Sequence, residues 1–257
     1  MGWRCRPAPP TLAGMETNRR QAGAARVMAT SLILLLGAAA ARGATPLNGL
    51  RYSPDTSVEL SGVLVADHDV VEDDLAGGIT FVDVGTPVAA SDLDAFASDG
   101  SDRLLSWDVA RTLSGGIHAA PGDIARYDGS AYTIEFDASA QGVAQGADAD
   151  AITKDADGNL LISFDVSVRV GGATYADEDV IRWDGASFAL FWDGSAAGIG
   201  DQHDLDAVDR LPNGRLLLSF DGTGSVSGVV FADEDILEHD TAAGSWELAF
   251  DGDGQHA

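Results

Sequence analysis

Short apolar bursts separated by Asp, Gly and Asn set the texture of this chain. Trp246, Leu248 and Phe250 alternate with Glu247 and Ala249, and the same alternation returns as Tyr132, Ile134, Phe136 and as Phe188, Leu190, Trp192. Strict alternation over so short a segment predicts a half-buried strand. A second kind of burst, such as Leu216-Leu217-Leu218-Ser219-Phe220, is apolar almost throughout and predicts a strand covered on both faces. The clearest segment holds four strands, at 205–211, 215–220, 235–239 and 245–250. Pro212-Asn213-Gly214 and Asp157-Gly158-Asn159 join first runs to second, and Asp128-Gly129 and Asp184-Gly185 join third to fourth. Such residues supply the positive φ of tight hairpins. No stretch after residue 44 keeps a convincing helical period, so the unit is a four-stranded antiparallel meander.

The meander recurs every 56 residues. Asp92-Leu93-Asp94-Ala95 returns as Asp148-Ala149-Asp150-Ala151 and as Asp204-Leu205-Asp206-Ala207, and Asp123-Ile124 returns as Asp179-Val180 and Asp235-Ile236. A degenerate early copy aligns Ala66-Asp67-His68-Asp69 with Ala232-Asp233-Glu234-Asp235 but lacks the first run. The copies fall at about 48–87, 91–146, 147–202 and 203–254. A fixed period of this kind marks propellers, solenoids or arrays, and repeated four-stranded meanders are β-propeller blades. The reading is an all-β propeller of about four blades over residues 45–257.

The third and fourth runs loosely resemble kelch-type repeats. Gly115-Gly116 and Gly171-Gly172 follow the second run after an inserted loop, Tyr127 or Trp183 stands at the kelch tyrosine position, and Tyr132, Phe188 or Trp246 at the tryptophan position. The last copy has Ser227-Gly228 and His239 instead. The resemblance implies propeller architecture and no particular chemistry. Closure is left open between two readings: a ring with one three-stranded blade, or a fragment of something larger with exposed strand edges.

The N-terminus reads as an export signal. Arg19, Arg20 and Arg26 precede an apolar stretch, 29–41, and small residues follow at Ala41, Gly43 and Ala44. That stretch is shorter than the roughly 20 residues of a membrane span, so the mature chain is read as secreted or periplasmic with no membrane span, and residues 1–44 as signal and upstream segment. The sole cysteine, Cys5, lies before the expected cut, which excludes disulfides and a cysteine nucleophile from the mature chain.

Charge adds a second signal. The chain carries 15 basic and 41 acidic side chains, and residues 45–257 keep 9 and 40 of them, a net of −31. Such a field repels nucleic acid and attracts cations. A saline habitat, a GC-rich genome and calcium binding would each produce it. The hydrophobic share of 45% argues against disorder.

The candidate metal ligands are acidic. Asp92 and Asp94, Asp148 and Asp150, Asp204 and Asp206 are expected on one face of each first strand, where they would converge on the channel and favour calcium, a hard ion. Asp177, Glu178 and Asp179 with Asp233, Glu234 and Asp235 form a second set before the third strand. The competing reading is that these residues serve turns. Asp155-x-Asp157-x-Asn159 resembles the opening of a calcium loop but lacks its later glycine and glutamate, and is read as a hairpin; Asp251-Gly252-Asp253-Gly254 is treated the same way. The residues that break the repeat are Arg111, His118, Arg169 and His203; no histidine pair has zinc spacing, and no nucleophile elbow or phosphate loop is present. Trp107, Trp183, Trp192 and Trp246 are read as core rather than as sugar platforms.

The functional expectation is an exported, non-catalytic binding or structural repeat protein, with calcium as its stabilising ion and a protein or glycan as partner. The alternative is a secreted propeller-type hydrolase acting on carbohydrate or ester substrates.

Overall fold

The computed structural model describes residues 27–29, 44–54, 56–85 and 92–252. The export signal apart from 27–29, Cys5 and the last residues of the Asp251-Gly252-Asp253-Gly254 run lie outside them. Four four-stranded antiparallel sheets stand as the blades of a propeller, each with a small two-stranded hairpin between its second and third strands.

Blade I comprises β1 (Val27–Ala29), β2 (Leu50–Pro54), the hairpin β3 (Val58–Leu60) and β4 (Val63–Val65), then β5 (Val70–Asp73) and β6 (Ile79–Val82). Blade II comprises β7 (Ala95–Asp99), β8 (Asp102–Ser106), the hairpin β9 (Arg111–Thr112) and β10 (His118–Ala119), then β11 (Ile124–Tyr127) and β12 (Tyr132–Phe136). Blade III comprises β13 (Ala149–Lys154), β14 (Leu160–Phe164), β15 (Val168–Val170), β16 (Ala173–Tyr175), β17 (Val180–Trp183) and β18 (Phe188–Trp192). Blade IV comprises β19 (Leu205–Arg210), β20 (Leu216–Phe220), β21 (Gly224–Val226), β22 (Val229–Phe231), β23 (Ile236–Asp240) and β24 (Ser245–Phe250). The boundaries of blade IV match the sequence expectation to within a residue.

Blade I departs from expectation. Its innermost strand is present: Val27–Ala29 pairs with β2, from within the stretch that reads as an export signal. The inner edge of β2 offers unpaired backbone groups, and an extended segment satisfies them.

Four hydrophobic clusters sit between blades rather than within them. Val70 of blade I packs with Phe96 and Leu105 of blade II; Phe136 packs with Ile152 and Phe164; Trp192 packs with Val208 and Phe220. Leu217 and Phe250 of blade IV return to Tyr52 and Val71 of blade I. Four such junctions close a four-bladed ring. Each fully buried Leu, Ile or Phe contributes about 1.5–3 kcal/mol, so the packing of blade on blade is a large part of what holds the ring together.

Two sequence expectations need correction. The outermost strands do not alternate cleanly, because a β-bulge opposes Ile124/Ala125, Val180/Ile181 and Ile236/Leu237. The extra residue reverses the facing, and Leu190 and Leu248 are exposed although Trp192 and Phe250 are buried. The glycine pairs, in turn, belong to the small hairpins. Gly115 and Gly116, Gly171 and Gly172, and Ser227-Gly228 all have positive φ at or beside the hairpin turns, where the twist of two short strands requires it.

Candidate functional site

The inner strands β7, β13 and β19 lie side by side and run the same way, so whatever precedes each one gathers at one end of the ring. That end is acidic. Asp148 and Asp204 stand immediately before β13 and β19, and their backbone amides donate to Asp165 Oδ1 (2.7 Å) and Asp221 Oδ1 (3.0 Å). Asp150 and Asp206 each sit at a bulge where the inner strand slips against its neighbour. The bulge, rather than regular alternation, sets their direction. Asp94 occupies the equivalent place ahead of β7, and Asp94 and Asp206 are buried.

The electrostatics show that these carboxyls share one space. Burial, and then Asp108, Asp92, Asp148 and Asp165, push the Asp94 carboxyl up to about 8. Burial also raises Asp150, followed by the fields of Asp204, Asp94 and Asp206, so the second aspartates of three blades act on one another. Asp204 is raised by burial despite a hydrogen bond with Asp150. Such a bond between two carboxyls requires a proton. Asp177 joins the same group, raised by burial and in part by Asp221. As placed, no three His, Cys, Asp or Glu side chains among the described residues form a group able to hold a metal ion.

The second acidic set separates by position. Asp179 Oδ2 accepts from Ala176 N (2.9 Å) and its Oδ1 from Gly194 N (3.1 Å); Asp235 does the same with Ala232 and Gly252. These two tie the turn before the third strand to the segment after the fourth. Glu178 is buried and accepts from Ser195 Oγ. Its backbone carbonyl lies against Gly194, where a Cβ would come within 2.4 Å, and Glu234 bears the same relation to Gly252. Asp233 is half-buried beside its turn. The Asp155 loop is a hairpin turn, with Asp155 Oδ1 accepting from Asp157 N and Asn159 N and Gly158 at φ +85°.

The residues that break the repeat do not gather. His118 and Arg169 are exposed on hairpins of different blades. Arg111 is buried in blade II with its guanidinium 4.9 Å over the Trp107 ring. His203 is buried in blade IV between Phe220 and Phe231. It fills space that Gly224 leaves, since a Cβ on Gly224 would come within 2.5 Å of His203 Nε2. Blade III has Ala147 and Val168 at the matching positions, a small-for-large exchange. The tryptophans pack as expected: Trp183 lies 4.6 Å from Phe188, and Trp246 stacks on His239 at 4.2 Å, each across a third-to-fourth strand hairpin.

Sequence reasoning missed the buried serines. Ser106 Oγ donates to Pro121 O (2.7 Å) and Asp123 O (3.1 Å); Ser163 Oγ donates to Asp177 O and Asp179 O, and Ser53 Oγ to Asp67 O and Asp69 O. The first carbonyl of each pair also accepts from the next blade: Leu93 N on Asp67 O, Ala149 N on Pro121 O, Leu205 N on Asp177 O. The signal was a lone polar residue recurring inside the second strand.

No family model matches the chain, and no curated protein matches it in sequence. Solved structures resemble it at low identity. A protein of unknown function from Bacteroides caccae shares 11% identity at TM-score 0.32, over 79% of this chain and 57% of its own. The extracellular domain of a hybrid two component system from B. thetaiotaomicron shares 12% at TM-score 0.37, over 81% of this chain and 28% of its own. YCF48 bound to D1 peptide shares 11% at TM-score 0.29, over 78% and 63%. The chain thus spans less than two thirds of each, and at these scores the likenesses carry no argument about function. No helix among the described residues is long and apolar enough to cross a membrane.

Proposed function

We propose that this chain is a non-catalytic binding or structural propeller that works outside the cytoplasm, secreted or periplasmic, and whose acidic end takes up a cation. Calcium is the ion that hard carboxylate oxygens favour. The observation that carries the reading is the placing of Asp94, Asp150 and Asp206 at the same end of three consecutive inner strands, where burial first and neighbouring carboxylates second raise the proton affinities of Asp94 and Asp150. A divalent ion entering there would displace the protons that otherwise keep those groups neutral, after the side chains draw together. The carboxylates occupy equivalent places in blades II, III and IV, as a repeating scaffold would have them. Arg111, His118, Arg169 and His203 lie on three blades and form no constellation, so the hydrolase reading has no observation in its favour. A protein or glycan partner belongs to this proposal, and the kelch-like resemblance adds nothing to it.

The test is thermal unfolding of the exported protein in EDTA, in calcium, in magnesium and in sodium chloride at matched ionic strength. A rise specific to calcium, abolished by Asp150→Asn, is the expected result. Equal stabilisation by sodium would reduce the effect to charge screening and remove calcium from the reading.

A further inference from the structure

The junction between blades IV and I contains a carboxylate with an unusual set of partners. Glu238 on β23 has a side chain only 1% exposed. Its Oε1 accepts from Arg215 Nη1 (2.6 Å) and from Thr45 Oγ1 (2.8 Å), and its Oε2 accepts from the backbone N–H of Thr45 (2.5 Å). Asn213 Nδ2 donates to Thr45 Oγ1 (3.2 Å). Arg215 is not Glu238's alone. It also lies 3.1 Å from Asp240, and Glu247 acts on it too. Three carboxylates therefore share one guanidinium, and the buried one is served by the amide of the residue that follows the expected signal cut.

We propose that removal of the leader after Ala44 turns Thr45 into a structural ion-pair partner, its new α-ammonium docking on Glu238 and locking blade I to blade IV. This rests on the export reading above. A signal peptidase of the exporting cell supplies the hydrolysis. Water breaks the Ala44–Thr45 amide, its hydroxyl goes to the Ala44 carbonyl, and the leader leaves as a carboxylate. The Thr45 nitrogen takes up protons and becomes an ammonium. One N–H becomes three, and a hydrogen bond assisted by the carboxylate's charge alone becomes an ion pair in which both partners are charged. The positive charge also makes up the deficit left by the shared Arg215. The same cut separates β1 from the rest of the chain, so the hold of blade I on blade IV then depends more on this contact.

The experiment uses the full chain expressed in a bacterium that exports it. The exported product is sequenced from its N-terminus and treated with limiting acetic anhydride at about pH 7, near the usual α-amino pKa. Lys154 is the only competing lysine and is itself held by Asp99 and Glu135. The reference is a synthetic peptide of residues 45–54. The product is expected to begin at Thr45 and to be acetylated there at least roughly tenfold more slowly than the peptide, with Glu238→Gln losing most of that protection. Should Glu238→Gln fail to fold, the comparison of wild type with peptide still decides. A chain retained uncut in the cytoplasm overturns the export reading and this inference together. A cut elsewhere, or a Thr45 amine as reactive as the peptide's, overturns this inference and leaves export standing.

Discussion

Asp94, just before the inner strand β7, and Asp99, its last residue, meet opposite environments. Asp94 lies among carboxyls, and burial pushes it up to about 8. Asp99 accepts from Lys154 Nζ (2.8 Å) and Arg126 Nη2 (2.6 Å), whose hydrogen bonds hold it below the usual carboxylate range. The pattern extends around the ring. Arg51 pairs with Glu72, Arg126 with Asp102 and Glu135, and Arg215 with Glu238, all at the end where first strands turn into second. A chain with 9 basic groups against 40 acidic ones after residue 44 has thus spent most of its cations on one end. The difference shows that the net charge is not spread evenly: one end carries the ion pairs, and at the other burial and neighbouring carboxylates raise the acidic groups.

The comparison breaks most readily at the paired end. Arg126→Ala leaves Asp99 and Glu135 sharing Lys154 and takes from Asp102 its ion-pair partner; we expect a loss of about 3 kcal/mol, discounted for partial exposure, or roughly 6–12 °C in melting temperature. At the acidic end the packing is equally particular. Gly224→Val is expected to cost about 2 kcal/mol by overpacking against His203 and Phe231. The double variant His203→Ala/Gly224→Val, which copies blade III, is expected to recover most of it, as a double-mutant cycle by denaturant unfolding would read.

pH sharpens the contrast. The raised carboxyls at the acidic end contribute stability that is full below their unfolded value of 3.8 and is lost as pH rises through the folded value, about 8 for Asp94. The lowered carboxyls of Asp99 and Glu135 act the opposite way, stabilising above the unfolded value and losing effect as pH falls through the folded one. Without divalent ions, stability should therefore peak near about pH 4 and decline steadily towards about pH 9. A flat profile over that range would refute the acidic end as described. The smallest effect is that of Asp150→Asn, expected to stabilise the protein by about 1 kcal/mol at about pH 8 and to flatten the alkaline side.

Much of this was legible because a repeat states its rules several times. The Asp-x-Asp-Ala motif placed the inner strands, and Asn-Gly and Asp-Gly placed the turns. What stayed hidden depended on register. Ala149, Asp150 and Ala151 look like plain alternation, and only pairing with Phe164 and Ser163 shows the slip at Asp150. The gathering of Arg51, Arg126 and Arg215 at one end required knowing which strands run together. The exchange of His203 and Gly224 for Ala147 and Val168 was visible as two irregular positions, but only packing relates them.

The serine contacts carry a consequence for how the molecule comes apart. Pro121 O holds Ser106 of its own blade and the Ala149 amide of the next, and Asp177 O does the same for Ser163 and Leu205. A blade that opens therefore releases its neighbour's innermost strand in the same event. In a linear array the terminal units fray alone, whereas here loss of one blade removes two junctions at once. Amide exchange of the four second strands should accordingly collapse onto a single opening event, as in a small two-state domain.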